Sequence, residues 1–376
     1  MIVKRVPIDT YCEKKVPTLQ KTYDGLIDYL DISSVDNAEK RIISYQTIRS
    51  SNAPSRAKQL LKKGDVLVST VRPNLNAVAV VEEETENLMV GSTGYCVLRC
   101  KENIDVRYLF NFCQSQYFID DMSSQATGAS YPAVSNSIVR NSLIPCHSIE
   151  EQRKIAEKID TVSELIAFRK QQLVELDELV KSRFIELFGD RYTNDKKWDN
   201  KPLYECADFC NGKAHEQVVD ENGEYILVTS RCIASDISDY RRTNALLFPL
   251  QVNDIAMVMS DVPNGRALAK CVLIDEDGKY TLNQRICCLR NYSFNPIFFY
   301  YLLNRHEYFL SFNDGNAQTN LRKDDLLACN IIIPPMEVQE QFATFVEQTD
   351  KSKVAVQQSL EKLETLKKAL MQKYFG

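Results

Sequence analysis

The sequence contains one nine-residue motif twice, and this duplication decides the fold. The first copy is Ile144-Pro145-Cys146-His147-Ser148-Ile149-Glu150-Glu151-Gln152, and the second is Ile333-Pro334-Pro335-Met336-Glu337-Val338-Gln339-Glu340-Gln341. A heptad-like stretch comes after each copy and ends in Phe-Gly, at Phe188-Gly189 and at Phe375-Gly376. Segments of similar length precede the two copies. The predicted order is therefore globule, helix, globule, helix.

Both predicted helices carry apolar residues at alternating spacings of four and three, which is typical of a coiled coil. In the first helix they are Ile155, Ile159, Val162, Ile166, Leu173, Leu176, Val180 and Leu187, and in the second Phe342, Phe345, Thr349, Val356, Leu360, Leu363, Leu366 and Leu370. The duplication favours antiparallel pairing of the two helices within the chain over a coiled coil between two copies. About 25 helical residues span about 37 Å, on the order of one turn of B-DNA, so the pair is predicted to act as a ruler.

Composition and length favour a soluble protein of two or three domains: 376 residues, of which 44% are apolar and 26% charged. No apolar run is long enough to cross a membrane. The start, Met1-Ile2-Val3-Lys4-Arg5-Val6-Pro7, lacks the apolar core of a secretory signal. A cytoplasmic location is expected.

The net charge of −5 weighs mildly against a nucleic-acid partner, but the basic residues are gathered in two stretches. They are Lys40, Arg41, Arg49, Arg56, Lys58, Lys62, Lys63 and Arg72 in the first globule, and Arg231, Arg241, Arg242, Arg266, Lys270 and Arg285 in the second. This pattern fits a surface that faces phosphates and also fits a solvated charged surface.

Other features recur at matching places in the two globules. Gly64-Asp65 precedes a predicted strand, and aromatic helical patches begin at Tyr108 and Phe298, where we expect core. A polar, glycine-centred loop comes after each patch, at 125–131 and 313–322. The loops carry amide, hydroxyl and guanidinium groups that can bind bases or phosphates, although they can also simply cap the next helix. Because the two loops differ in amino-acid sequence, two unlike targets are predicted.

Signatures of catalysis and of metal binding are missing from the sequence. It has no phosphate-binding P-loop, no dinucleotide fingerprint, no His-Glu-x-x-His and no Asn/Asp-Pro-Pro-aromatic motif. The twelve cysteines lack zinc-knuckle spacing, so free thiols and no metal are expected. Two alternatives stay open: a bivalent protein-binding scaffold, and an enzyme with an unfamiliar site that uses Cys287 or Cys288.

Taken in order, these motifs resemble the specificity subunit of type I restriction-modification systems, over nearly the whole chain. The resemblance rests on the Ile-Pro…Glu-Glu-Gln motif at 144–152 with its second copy at 333–341, on the strand at 63–70 and on Ala126-Thr127-Gly128-Ala129-Ser130. It implies a mixed α/β fold with target-recognition domains at 1–148 and 190–336. A central helical region at 149–189 and a C-terminal one at 337–376 would form two long antiparallel coiled-coil spacers.

The resemblance also implies a non-catalytic subunit that reads a split, asymmetric target in double-stranded DNA. Its partners would be two methyltransferase subunits and two restriction subunits, with no membrane. S-adenosylmethionine, ATP and Mg²⁺ would bind to those partners, and no cofactor would bind to this chain. The assembled complex would methylate adenine and cleave DNA with ATP. The helix faces near Arg153, Lys154, Lys158, Glu337 and Glu340 would dock the methyltransferases.

The residues predicted to contact DNA come from the polar loops and the basic stretches. In the first domain they are Arg72, Asn74, Asn76, Thr127, Ser130 and Tyr131, and in the second Arg241, Arg242, Asn264, Arg266, Gln318, Thr319 and Arg322. Arginine suits guanine or phosphate, amides suit adenine and hydroxyls suit phosphate. The segments 262–266 and 316–319 match the family pattern only loosely.

Overall fold

The structure, a computed structural model, describes residues 3–261, 267–313 and 319–376. The chain divides into two compact units. The first comprises Met1–Gln171 with Gln357–Gly376, and the second comprises Gln172–Val356. Both boundaries fall inside long helices, so each unit contains part of both. The assignment of the helices to separate spacer segments stays a prediction.

In the first unit, all but the last of the short strands precede three short helices, and the last strand lies directly before a long helix. The strands are β1 (Arg5–Pro7), β2 (Leu26–Leu30), β3 (Val35–Asp36), β4 (Arg41–Ile42), β5 (Gln46–Arg49), β6 (Ala57–Leu60), β7 (Val66–Ser69), β8 (Val78–Val80), β9 (Leu88–Ser92), β10 (Tyr95–Leu98) and β11 (Leu143–Pro145). The helices are α1 (Val106–Cys113), α2 (Gln116–Ser124), α3 (Asn136–Asn141) and α4 (Ile149–Phe188), with single 3-10 turns at Ile8–Thr10, Ile32–Ser34, Ser50–Asn52 and Pro73–Leu75.

The second unit has a similar order, but two of its short helices lie among the earlier strands. The strands are β12 (Asn200–Pro202), β13 (Asp208–Asn211), β14 (Tyr225–Val228), β15 (Arg241–Thr243), β16 (Ile255–Val258), β17 (Ser260–Asp261), β18 (Cys271–Leu273), β19 (Tyr280–Leu282), β20 (Ile286–Arg290), β21 (Thr319–Asn320) and β22 (Asn330–Ile332). The helices are α5 (Leu203–Cys206), α6 (Ser230–Ala234), α7 (Pro296–Leu303), α8 (Glu307–Leu310), α9 (Lys323–Leu327) and α10 (Met336–Phe375).

Corresponding strands make corresponding sheets in the two units. One sheet has the order β5-β2-β9-β6 in the first unit and β15-β14-β19 in the second, and β2 and β14 are each parallel to one neighbour. The other sheet has β7 at the centre of β10-β7-β8, and β16 between β20 and β18. Antiparallel β1-β11 and β12-β22 join the beginning of each globule to the strand before its long helix. The predicted mixed α/β fold with an internal repeat is confirmed.

The central strands β7 and β16 are buried throughout, as expected for runs of β-branched and other apolar residues. A turn residue with positive φ precedes each strand, Gly64 at 88° and Asn253 at 69°, and an aspartate comes directly after each turn. Asp65 pairs with Arg99 at 2.7 Å, and Asp254 pairs with Arg290 at 2.5 Å. The same ion pair therefore begins the central strand of both units.

The aromatic patches lie in the hydrophobic cores of the two units, as predicted from the sequence. Tyr108 and Phe112 lie in the first unit's core, and Phe298 and Phe299 lie in the second unit's core. The long helices enter the same cores: Ile155 and Ile159 of α4 share a cluster with Met371 and Phe375 of α10 in the first unit. In the second unit the corresponding cluster contains Val180, Phe184 and Phe188 of α4 with Phe342 and Val346 of α10.

The start of α4 therefore packs with the end of α10, and the end of α4 packs with the start of α10. Lys353 Nζ also lies 2.7 Å from Asp177 Oδ1, which links the two helices within the second unit. The predicted antiparallel pairing is confirmed. One of the apolar residues predicted to lie in the coiled coil is wrong. Leu366 is 47% exposed, and Met371 and Phe375 are the buried residues near that end of α10.

Candidate nucleic-acid interface

In the first unit, two segments far apart in sequence meet next to the end of β7. The backbone N–H of Val134 donates to Thr70 O at 2.9 Å, and that of Arg72 donates to Pro132 O at 2.7 Å. Thr127 and Ala133 exchange hydrogen bonds across the loop between them. Gly128 has a φ of 105°, and a Cβ there would lie 2.9 Å from Tyr131 O, so this turn requires glycine. The two first-unit segments that were predicted to contact DNA are therefore held next to each other.

Arg72 and Tyr131 form the most prominent pair on this surface. The guanidinium carbon of Arg72 lies 5.0 Å from the centre of the Tyr131 ring, and Tyr131 is 70% exposed. Asn74, Thr127 and Ser130 are also exposed. A contact between the guanidinium and the tyrosine ring does not use the N–H donors of the arginine. The pair can therefore present those donors to a base edge or a phosphate.

Asn76, predicted from the sequence to contact DNA, lies in the interior instead. It is buried, and its Nδ2 donates to Cys113 O at 2.8 Å while its Oδ1 accepts from Lys40 Nζ at 3.0 Å. Burial, together with the charge of Lys367, lowers the pKa of Lys40 to about 8. Because the amide of Asn76 is already occupied on both sides, we remove it from the candidate contacts.

The second unit holds its two loops together in the same way. The N–H of Leu321 donates to Met259 O at 2.8 Å, as Val134 does to Thr70, and β17 pairs with β21 through Ser260 with Asn320 and Asp261 with Thr319. Asn264, Arg266 and Gln318 lie outside the described residues. For Thr319 the structure gives the strand pairing alone. Arg322 is exposed directly after this ladder, where it precedes α9.

Next to the β17-β21 ladder, the second unit has a groove of about 360 Å³ whose lining includes Arg231, Arg241, Arg285 and Tyr240. Ser230 joins the groove to the ladder through an Oγ hydrogen bond to Ser260 O at 3.3 Å. The three arginines come from α6, from β15 and from the turn before β20, so tertiary structure alone brings them together. The contacts predicted from the sequence do not include Arg231 and Arg285, although both belong to the predicted basic stretch.

Arg242 is engaged elsewhere. Its Nη1 donates to the carbonyl oxygens of Gly223 at 3.3 Å and Glu224 at 3.1 Å, and its guanidinium lies over the Tyr240 ring. Lys270 is similarly engaged, by Asp236 and by Ala234 O. Arg241 is exposed and borders the groove. Arg241 is therefore the better candidate of the two adjacent arginines.

The cysteines give no support to an enzyme based on Cys287 or Cys288. All twelve are free, and both of these are fully buried. Burial raises the pKa of Cys287 to about 12, and it also raises the pKa of Cys288. A protonated, enclosed thiol is a poor nucleophile.

Neither a metal site nor a membrane-spanning helix is found in the described part of the chain. Across 3–261, 267–313 and 319–376, no three His, Cys, Asp or Glu side chains are grouped so that they could hold a metal ion. Over the same ranges, no helix combines the length and apolar character needed to span a membrane.

The sequence is similar to known proteins, and one family model matches it twice. The family described as "Type I restriction modification DNA specificity domain" matches residues 10–178 and 195–367. A 126-residue stretch, 32% of this chain, is 24% identical to the type I restriction enzyme MjaVIII specificity subunit of Methanocaldococcus jannaschii. A 164-residue stretch, 42% of this chain, is 24% identical to the HindI specificity subunit of Haemophilus influenzae.

These matches span about a third of the length of the two relatives, 29% and 35% respectively. A solved chain from a structural study of complex assembly and conformational transition of the type I R-M system has the same fold. Its TM-score is 0.68 at 23% sequence identity, and the match covers 99% of this chain and 97% of the other.

Proposed function

The chain belongs to the family of type I restriction-modification DNA specificity domains, with one match in each half, and on that premise we propose that it is the DNA-reading subunit of such a complex. In this proposal each unit reads one half of a split, asymmetric target. The observation that carries the proposal is the double family match. The paired loops of the two units support it, because they repeat a backbone arrangement with different side chains.

The proposed contacts of the first unit are Arg72, Asn74, Thr127, Ser130 and Tyr131. Those of the second unit are Arg231, Arg241, Arg285 and Arg322, together with Asn264, Arg266, Gln318 and Thr319, which are proposed from sequence alone. Arginine donors suit guanine or phosphate, and hydroxyl groups suit phosphate. Since the chain is acidic overall, binding is expected to depend on these local groups rather than on general attraction between the protein and DNA.

We further propose that two methyltransferase subunits and two restriction subunits join this chain, and that they carry the S-adenosylmethionine, ATP and Mg²⁺ chemistry. The chain itself contributes target selection and no catalysis. The charged residues Arg153, Lys154, Lys158, Glu337 and Glu340 near the starts of α4 and α10 are proposed to face the methyltransferases.

The test is a methylation assay with purified subunits, with sequencing of the methylated DNA. This chain alone is expected to transfer no methyl group from labelled S-adenosylmethionine. Addition of the methyltransferase subunit is expected to methylate one split adenine-containing motif. Turnover by this chain alone, or methylation without any sequence preference, would contradict the proposal. Failure to bind DNA at any salt concentration with the methyltransferase present would instead favour a protein-binding scaffold.

A further inference from the structure

One exposed ion pair in the groove of the second unit differs from the chain's structural ion pairs. Arg231 Nε donates to Asp239 Oδ2 at 2.5 Å, with the two side chains 71% and 48% exposed. By contrast, the Asp65–Arg99 pair is buried and recurs as Asp254–Arg290 at the same place in the fold. An exposed ion pair contributes little to stability, so the Arg231–Asp239 pair is not explained by folding.

The geometry of this pair leaves part of the arginine available. Asp239 takes the Nε donor, and within the described residues neither Nη atom of Arg231 has a hydrogen-bond partner. The end of the guanidinium therefore presents two parallel donor groups. Guanine shows two adjacent acceptors, N7 and O6, in the major groove, whereas adenine shows one acceptor and one donor. The free end of Arg231 matches guanine.

Asp239 is attached to the same short element that carries Arg231. Its backbone N–H donates to Ser235 Oγ at 2.9 Å, and that hydroxyl in turn donates to Cys232 O at 3.0 Å. Thr229 caps α6, because its hydroxyl accepts from the Cys232 N–H at 3.2 Å. The carboxylate and the guanidinium are thus held on one hydrogen-bonded turn, which limits the orientations open to a long side chain.

The carboxylate also distinguishes between the two kinds of DNA contact. A phosphate brought to the free end of Arg231 would be repelled by Asp239, since both are anions, while a neutral base edge would not. We propose that Arg231, positioned by Asp239, reads a guanine in the half-site bound by the second unit. This inference rests on the proposed function and adds a base identity to it.

The same preference is not expected of the first unit. Arg231 is the second residue of α6, which comes after β14 and is capped by Thr229. The second residue of the 3-10 turn after β2, capped by Asp31, is Ser33. A serine hydroxyl both donates and accepts, so it cannot reproduce the two-donor pattern of a guanidinium end. Only one half-site should depend on a guanine read in this way.

The experiment uses this chain assembled with its methyltransferase subunit and a DNA library with both half-sites randomised. Bound or methylated DNA is sequenced for the natural protein, for Arg231→Ala, for Asp239→Asn and for Glu178→Gln. Glu178 lies in the same unit and forms an exposed ion pair with Lys181 at 2.7 Å, so Glu178→Gln is the matched control.

The natural complex should prefer guanine at one position of the target. Arg231→Ala should lower that preference about tenfold to a hundredfold and leave the base preferences of the other half-site unchanged. Asp239→Asn should lower the same preference by less, while it raises affinity for unrelated DNA because a repelling charge is gone. If Asp239 only supported the local fold, Asp239→Asn would not lower the guanine preference and at the same time raise the affinity for unrelated DNA. Glu178→Gln should behave as the natural protein does.

Two results would overturn the inference and leave the proposed function standing: a selected motif with no guanine sensitive to Arg231, or an equal loss of binding to every sequence in Arg231→Ala. The second result would assign Arg231 to a phosphate. A natural complex that selects no motif at all would overturn the proposed function as well.

Discussion

At the residue scale, two buried glutamines, Gln152 and Gln339, each occupy the fourth position of a long helix, α4 or α10, although the nine-residue copies align Gln152 with Gln341. The Oε1 atom of each accepts the backbone N–H of a helix-capping residue, Asp105 or Asn295, at 2.9 Å. The Nε2 atom of each donates to a carbonyl before its own helix, His147 O at 2.9 Å or Pro334 O at 2.8 Å. Each glutamine side chain thus satisfies two backbone groups that are at least partly shielded from water.

Replacing Gln339 with Ala is expected to lower the free energy of unfolding of the second unit. The buried Pro334 carbonyl and the partly buried Asn295 N–H would lose these partners, at a cost of about 1–3 kcal/mol. Denaturant unfolding, monitored by the fluorescence of Trp198, which packs against the second unit's core, measures the loss. Gln341→Ala, at an exposed position two residues further along α10, is the control. Equal effects of the two substitutions would contradict the role given to Gln339.

A second residue-scale prediction concerns His306, which caps α8 by accepting the Tyr308 N–H at Nδ1. Burial, and then the charge of Arg191, lowers the pKa of His306 to about 4. The unfolded chain therefore binds a proton at a higher pH than the folded chain does. Stability is expected to fall as pH decreases from about 6.5 to about 4, by as much as about 3 kcal/mol, and this loss to be absent at neutral pH.

The substitution His306→Asn keeps a capping oxygen and removes the titrating ring. It should flatten the dependence of unfolding free energy on pH between about 4 and about 6.5. The measurement is denaturant unfolding at a series of pH values. An unchanged slope in His306→Asn would show that His306 is not the source of the acid sensitivity.

At the scale of elements, the two central strands begin with the same arrangement. The Asp65 carboxylate accepts the Lys62 N–H at 2.9 Å and binds Arg99, and the Asp254 carboxylate accepts the Gln251 N–H at 2.8 Å and binds Arg290. The aspartate closes the turn before the strand while the arginine reaches it from the neighbouring strand or from just beyond its end. In both units the pair therefore links the turn to a neighbouring strand or to the residue just after it.

Breaking one of these pairs is expected to be costly. Asp254→Ala would leave the largely buried Arg290 without its counter-charge, which costs about 3–5 kcal/mol. The double substitution Asp254→Leu with Arg290→Met removes both charges, so it should recover part of that loss. Thermal and denaturant unfolding provide the comparison, with Glu178→Gln as the exposed control. A double variant no more stable than Asp254→Ala would mean that shape, rather than charge pairing, is what this site requires.

At the scale of the whole molecule, α4 and α10 are each 40 residues long and pair antiparallel within each unit. The sequence-based interpretation of these helices as a ruler for the two readers stays a proposal. Four residues inserted after Leu173 should lengthen α4 by about 6 Å and rotate the remainder of the helix by about 40°. A matched insertion after Leu360, the equivalent position in α10, is needed to keep the two helices in register.

The doubly extended protein is expected to prefer a DNA spacer longer by about one or two base pairs, because DNA rises about 3.4 Å per base pair. Both half-site sequences should stay the same. Selection from a library with randomised spacer lengths and half-sites measures this, and a circular dichroism spectrum checks that the variant is helical. A helical variant that keeps the natural spacer would refute the ruler.

The sequence by itself determined the duplication, the long helices, the aromatic cores and the turn at Gly64-Asp65, because periodicity and turn chemistry are local properties of the chain. Only the tertiary structure decided which polar groups are available. Asn76 looked like a contact but is occupied by Cys113 and Lys40, and Arg242 is held by backbone carbonyls. The groove with Arg231, Arg241 and Arg285 joins segments that are distant in the sequence. Contacts between such distant segments depend on strand register, which no local sequence pattern predicts.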